Sequence, residues 1–365
     1  MDLLVLTDSD VTSLLASLDR HNAQELAAVL HAAFEGFSKE GENRYQPPRA
    51  GIPRPDGQLT LFSPCTSPSG VGTKITGCPP PPPPGTVPPS QKAAFMLCNA
   101  KGEAYGFLNA SEFTAFRTSL GSMVLYRYRK ATDNIVVFGA GKQALWHIRL
   151  ALLLRGPEIK RITVVNRSSL RSQELLEKLA ADDQSKWQSN VSIEVFDPSL
   201  PNKDARLEEL LVESDVIFCT TPSRQPLFPA QYLYSQNARG KGRYLTAIGS
   251  FTHEMSELDP AIFKEIAATG AYHPKGTAGG AVFVDTREGC IEEAGEISKA
   301  GISHDHLVEV GSLPVFDSYT DGGKFMQSGF VLYKSVGFGI MDISVGESLI
   351  GLAKQKGFGK LISNF

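Results

Sequence analysis

Residues 134–144, Asn-Ile-Val-Val-Phe-Gly-Ala-Gly-Lys-Gln-Ala, restrict the possible folds more than any other stretch of the chain. A run of β-formers, 135–138, stops at Gly139-x-Gly141-x-x-Ala144 and passes into an amphipathic segment carrying Leu145, Ile148 and Leu152. That order reads as strand, tight turn and helix, the phosphate-binding corner of a dinucleotide fold. Gly139 permits the turn, Gly141 lets the backbone approach a pyrophosphate, and Ala144 keeps helix and strand close. Free N–H groups at the helix start favour anionic oxygens. Such a corner binds a nucleotide and breaks no bond.

Glycine-rich turns are common, so the flanks decide the matter. A second run, Ile162-Thr163-Val164-Val165, ends in Asn166-Arg167-Ser168-Ser169, roughly 20 residues on, where such folds hold the adenosine ribose. An NAD-selective site usually has Asp or Glu there, accepting hydrogen bonds from the 2′-hydroxyl. Asn166 and Arg167 stand there instead. A carboxylate would repel a 2′-phosphate, whereas the Arg167 guanidinium can hydrogen-bond it, with Ser168 or Arg171 as helpers. NADPH is therefore the expected cofactor, and NADH stays open.

Further β-like runs at 191–196, 214–219, 243–249 and 281–285 alternate with helical stretches, which requires parallel crossovers. The expected fold class is α/β, a Rossmann-type doubly wound parallel sheet. Its ligands sit beyond the carboxyl ends of the strands, where Gly139, Arg167, Thr220 and Gly249 fall. At 365 residues the chain suits two domains, and 42% hydrophobic residues suffice for a sizeable core. A net charge of -3 gives no basic excess for nucleic acid. The opening Met-Asp-Leu-Leu-Val-Leu-Thr-Asp-Ser-Asp has no basic n-region and only a short apolar run, so no signal peptide is expected. No stretch approaches the roughly 18 apolar residues of a membrane span. Cys65, Cys78, Cys98, Cys219 and Cys290 are odd in number and scattered. They read as reduced cytoplasmic thiols, not as disulfides or metal ligands.

Residues 1–40 read as helical. Ser9 or Asp10 would cap a helix with Leu14, Leu15 and Leu18, and Asn22 with Glu25 would form a capping box ahead of Leu26, Leu30 and Phe34. Residues 45–100 are richer in Pro and Gly, with Arg49 where a strand would begin and Lys74 within one. The run 79–89, Pro-Pro-Pro-Pro-Pro-Pro-Gly-Thr-Val-Pro-Pro, predicts an exposed polyproline loop, a spacer or a dock for a proline-reading partner. Two strands, 93–98 and 104–108, precede a helix from Ser111 whose apolar face carries Phe113, Phe116, Leu120 and Met123, with Arg117 and Thr118 in its first turns.

These stretches carry a resemblance: Gln46-Pro-Pro-Arg49, the Lys74 strand, Phe113-Thr-Ala-Phe-Arg117-Thr118, Val137-Phe-Gly-Ala-Gly-Lys-Gln143-Ala, Val165-Asn166-Arg167 and Cys219-Thr-Thr-Pro222. Ala247-Ile-Gly249 with Glu257-Leu258, Val284-Asp285, and Tyr333-Lys334-Ser335-Val336-Gly337 with Asp342 continue it. In order and spacing the chain resembles the ornithine cyclodeaminase/mu-crystallin family over nearly its full length. The resemblance implies a second α/β domain for substrate binding and dimerisation, built from 1–129 and 323–365, around a Rossmann domain at 130–322, in a homodimer. It implies cofactor contacts from Gly139, Ala140, Gly141, Lys142 and Gln143 at the phosphates, and from Asn166, Arg167 and Ser168 at the ribose. Thr118, Thr220, Thr221, Pro222, Ile248, Gly249 and Ser335 would supply the rest. It also implies that Arg49, Lys74 and Arg117 converge on a substrate carboxylate near the nicotinamide. Guanidinium groups bind a carboxylate bidentately and the ammonium adds a point charge. Pinning the substrate in this way can lower a barrier by on the order of 7 kcal/mol.

One departure redirects the chemistry. Cyclodeaminases read Gly-x-Asp after the fifth strand, and that acid works on the substrate amines and on water. Here the stretch is Gly249-Ser250-Phe251, and an aromatic ring cannot exchange a proton. His253 and Glu254 nearby read as surface residues. Phe251 is then an apolar wall for the substrate, and the closer resemblance is to NADPH-dependent ketimine reductases. The expected reaction is hydride transfer to the C=N carbon of a cyclic imino acid such as Δ1-piperideine-2-carboxylate or Δ1-pyrroline-2-carboxylate, giving the L-amino acid. Lys74 is the candidate to hold the carboxylate and relay a proton. An NAD-dependent cyclodeaminase-like lyase, a dehydrogenase acting on a linear keto acid, and a non-catalytic NADPH or small-ligand binder of crystallin type remain as alternatives.

Overall fold

The computed structural model describes residues 2–80, 91–314 and 316–365, so the proline-rich run lies, from 81 onward, outside the described residues. Backbone contacts divide the chain into two units, Met1–Arg117 with Phe338–Phe365, and Thr118–Gly337. Both chain ends build the first unit. Residues 118–129 and 323–337, expected in the substrate-binding domain, group with the nucleotide sheet.

Among the described residues, the first unit holds strands β1 (Leu3–Leu6), β2 (Ala50–Pro53), β3 (Leu59–Ser67), β4 (Gly70–Cys78), β5 (Lys92–Asn99) and β6 (Ala104–Asn109), with a C-terminal strand Lys360–Ile362. β2 to β6 form an antiparallel meander, β1 runs parallel to β6, and Lys360–Ile362 closes antiparallel on β1. The opening strand corrects the helical reading of 1–40: Leu3, Leu4 and Leu6 are buried in the sheet. The helix starts at Asp8 and is capped by Thr7, which exchanges hydrogen bonds with Asp10. Asp19 with Asn22 caps the next helix, Arg20–Lys39. The caps fall at Thr7 and Asp19, not at Ser9, Asp10 or Asn22, because a capping box needs its second polar side chain at the third helical position.

The helix Gly339–Lys356 lies across β3, β4 and β5 and beside Arg20–Lys39. Two glycines set that approach, since a Cβ at Gly339 would lie 2.7 Å from Cys65 Cβ and one at Gly346 2.7 Å from the Phe95 ring. Side chains alternate along β4: Lys74 and Thr76 are buried while Val71 and Ile75 are exposed. On neighbouring strands Met96 pairs with both Thr73 and Phe107, which extends the exposed apolar row.

The second unit contains β7 (Asn134–Phe138), β8 (Arg161–Val165), β9 (Ser192–Val195), β10 (Val216–Cys219), β11 (Tyr244–Ala247), β12 (Val282–Val284), β13 (Leu307–Glu309) and β14 (Val331–Lys334). They form one parallel sheet in the order β9-β8-β7-β10-β11-β14-β12-β13. Every residue of β10 and β11 is buried, as a sheet covered on both faces requires. The winding reverses between β7 and β10, so the loops after these strands part into the crevice where doubly wound sheets take ligands. Neither β13 nor β14 was expected from the sequence. They are three and four residues long, too short for a periodic signal, and β14 becomes a strand by pairing between β11 and β12. Among the described residues no helix is long and apolar enough to cross a membrane.

Candidate active site

In the first unit, β4 turns Lys74 to its buried side, and the helix Ala110–Tyr126 presents Arg117 midway along its length, not in its first turns. The two side chains meet on Asp342. Its Oδ1 accepts hydrogen bonds from Lys74 Nζ at 2.8 Å and from Arg117 Nε at 2.8 Å, and its Oδ2 lies 2.7 Å from Nζ. Arg117 Nη1 points at Met341 Sδ, 3.4 Å away. All three charged groups are at most 5% exposed, where stranding one without its partners would cost roughly 3–5 kcal/mol.

Burial and the Arg117 charge bring Lys74 down to about 8, against the pull of Asp342. Arg49, half-buried just ahead of β2, adds to that lowering, and its charge also acts on Cys78. Two of the three expected cations thus share one carboxylate, and the third acts on Lys74 through its field. Asp342 went unassigned in the sequence. The signal was there: an acid in the otherwise apolar run Gly339-Ile-Met-Asp-Ile-Ser-Val.

In the second unit, Gly139 has φ 112°, a left-handed conformation that favours glycine, and its N–H donates to Val165 O at 2.9 Å. A Cβ there would lie 2.7 Å from Thr220 Oγ1, whereas one at Gly141 meets nothing within 4 Å. Gly141 opens the helix Lys142–Arg155 without a side-chain cap, and Gly141 and Lys142 are exposed. Ala140 and Gln143 are half-buried beside them. A helix start without a side-chain cap is a place where phosphate oxygens can be held. After β8, Asn166 Nδ2 donates to Ser168 O at 2.9 Å, Ser168 caps the helix Ser169–Ala180 by accepting from Arg171 N, and Arg167 is exposed. The corner and the basic ribose position both fit a dinucleotide.

The other expected contacts divide. Thr220 donates both its N–H and its hydroxyl to Phe138 O, at 3.0 and 2.7 Å, which ties the loops after β7 and β10 together. Thr221 and Gly249 give their N–H groups to the buried Glu257, each at 2.6 Å. Burial pushes Glu257 up to about 7, with Lys334 and those amides opposing. Ile248 is buried and donates its N–H to Cys219 O, while Pro222 is exposed. Thr118 is buried. Ser335 is buried too and donates its hydroxyl to Asp285 at 2.6 Å, so it ties strand ends together. Phe251 is half-buried, and His253 and Glu254 are exposed, Glu254 accepting from Thr252 Oγ1 at 2.9 Å. Glu257 had appeared only as part of a motif. Its role as a clasp between two loops needs a fold to be seen.

A family model described as the ornithine cyclodeaminase/mu-crystallin family matches residues 5–356. An uncharacterised protein of Saccharomyces cerevisiae is 26% identical over 69% of this chain and 71% of its own. A Δ1-pyrroline-2-carboxylate reductase of Bacillus cereus is 23% identical over 93% of this chain and 95% of its own. Among solved structures, the Δ1-pyrroline-2-carboxylate reductase of Thermococcus litoralis in complex with NADH and L-proline superposes with a TM-score of 0.72 at 20% identity, covering 98% of this chain and 99% of that one.

Proposed function

Because the chain belongs to the ornithine cyclodeaminase/mu-crystallin family, we propose that it reduces a cyclic imino acid, of the Δ1-pyrroline-2-carboxylate or Δ1-piperideine-2-carboxylate kind, to the L-amino acid with NADPH. The observation that carries this reading is the buried meeting of Lys74 and Arg117 on Asp342. Lys74 and Arg117 bring two cationic groups to the single carboxylate of Asp342, a buried arrangement suited to one incoming carboxylate. The Bacillus cereus relative is named for reduction of this substrate class.

When bound, the cofactor supplies a hydride to the C=N carbon. The chain's residues do the rest. Arg117 and Arg49 bind and orient the carboxylate, which fixes the ring. Lys74, brought near neutrality, holds a proton beside the substrate and gives it to the imine nitrogen, so that carbon gains the hydride, nitrogen gains the proton and the double bond becomes single. Phe251 offers no proton exchange, which disfavours ammonia release by the cyclodeaminase route. Gly139 to Lys142 would hold the pyrophosphate, and Arg167 would hold the 2′-phosphate.

A second copy completes the assembly in this reading. Val71, Ile75, Met96 and Phe107 are 42%, 46%, 43% and 40% exposed on one sheet face, an apolar row of the kind that subunits cover. The reaction is tested by mixing the protein with NADPH and each imine while following the absorbance of the reduced cofactor. Turnover that vanishes in Lys74→Met and Arg117→Met supports the reading; no oxidation with any cyclic ketimine removes it.

A further inference from the structure

Asp342 is fixed more firmly than a surface acid would be. It lies in the first turn of the helix Gly339–Lys356, where the helix dipole favours negative charge. The start of that helix is pressed onto β3, leaving no room for a side chain at Gly339, and its middle onto Phe95 at Gly346. A carboxylate mounted on such a base orients whatever bonds to it. Arg117 touches Asp342 through Nε and Met341 Sδ through Nη1, and two contacts define the plane of its guanidinium. Lys74 Nζ lies within 2.8 Å of both carboxylate oxygens.

We propose that Asp342 is a positioning residue for the imine reduction, an inference resting on that reading: it holds Lys74 and Arg117 in the orientation that receives the substrate carboxylate and keeps Lys74 charged between turnovers. The charged neighbours of Lys74 act on it in opposite senses. Burial, Arg117 on its helix and Arg49 ahead of β2 all press Lys74 toward the neutral amine, and Asp342, by charge and by hydrogen bond, opposes them. Cys65 on β3 also faces this cluster, and burial raises its thiol so that it stays neutral. Without Asp342 the lysine sheds its proton at lower pH.

Asp342→Asn keeps the shape and removes the charge. The alkaline limb of kcat/KM, set by Lys74, is expected to move down by about one pH unit or more, roughly a fivefold loss of rate at pH 8 and about tenfold well above it. Asp342→Glu restores the charge and should return the limb to within about half a unit of the parent. The same question is read without turnover by NMR of protein carrying 13C at the lysine ε-carbon, with Lys74 assigned from Lys74→Arg. Its midpoint should fall in Asp342→Asn. A midpoint and a limb that both stay within about 0.3 unit of the parent overturn the proposal. Should Asp342→Asn not fold, the 13Cγ resonance of Asp342 in the unaltered protein decides: it should shift in step with Lys74, and a resonance flat through that titration overturns the proposal. Failure of the parent to reduce any imine would refute the reaction, while these NMR midpoints would still judge Asp342.

Discussion

Glu257 accepts the backbone N–H of Gly249 at 2.6 Å, and its other oxygen accepts that of Thr221. One buried carboxyl therefore ties the loop after β10 to the loop after β11. Burial raises it from 4.5 to about 7, so between these values the folded chain holds a proton that the unfolded chain releases. Stability is then expected to fall as pH rises through that window, by on the order of 3 kcal/mol from this group. Urea unfolding between pH 4.5 and 8 should show that component missing in Glu257→Gln. Equal slopes in parent and variant would refute it.

The two glycines of the cleft should respond differently to a methyl group. A Cβ at Gly249 would lie 2.1 Å from Thr221 O, so Gly249→Ala must displace a loop and is expected to lower both the melting temperature and cofactor affinity. At Gly141 the same Cβ has open space, so Gly141→Ala should melt like the parent while binding NADPH at least about tenfold more weakly. Calorimetric melting beside titration with the cofactor separates the two. Unchanged affinity in Gly141→Ala would mean that the pyrophosphate does not approach there.

Arg167 is exposed after β8, between Asn166 and Ser168, where we propose that it meets the 2′-phosphate. Arg167→Asp is expected to reverse cofactor preference, weakening NADPH by about 1.5–3 kcal/mol, the worth of a hydrogen bond to a charged group, with little effect on NADH. Binding of both cofactors followed by fluorescence checks this; a parallel loss for both would count against a 2′-phosphate at this position.

Met96 lies at the middle of the exposed apolar row, paired across strands with Thr73 and Phe107. Placing a charge there should disrupt self-association while leaving the inward face of β5 intact. Met96→Glu is expected to run at about half the mass of the parent in sedimentation while keeping its secondary structure, with an unfolding midpoint lowered by the loss of the partner subunit. A parent that sediments as a monomer would refute the pairing.

The nucleotide half was legible because its signals are local. Gly139 and Gly141 sit between adjacent strand and helix patterns, and a parallel sheet writes its strands as apolar runs. β13 and β14 escaped because a strand of three or four residues has no period to detect; only the neighbours that Val331–Lys334 pairs with make it a strand. The leucines of β1 gave way for the same reason: a short apolar run beside a helix reads as its continuation until partners from residue 104 onward and from the far end of the chain appear. Lys74 and Arg117 could be singled out by type and order. That they share Asp342, more than 220 residues beyond either, is a property of the folded chain alone.

The first sheet joins Leu3 to Ile362. During synthesis, the amino-terminal meander leaves the ribosome long before its closing strand and the helix that bears Asp342 exist. Elongation at roughly 5–20 residues per second puts the interval at tens of seconds or less. Through that time the incomplete sheet has an open edge and an uncovered apolar face, the features that invite wrong pairing. The nucleotide half meets no such delay. Maturation of the protein is therefore expected to be limited by completion of its first unit, and a chain stopped short of residue 338 would retain the parallel sheet but not Asp342.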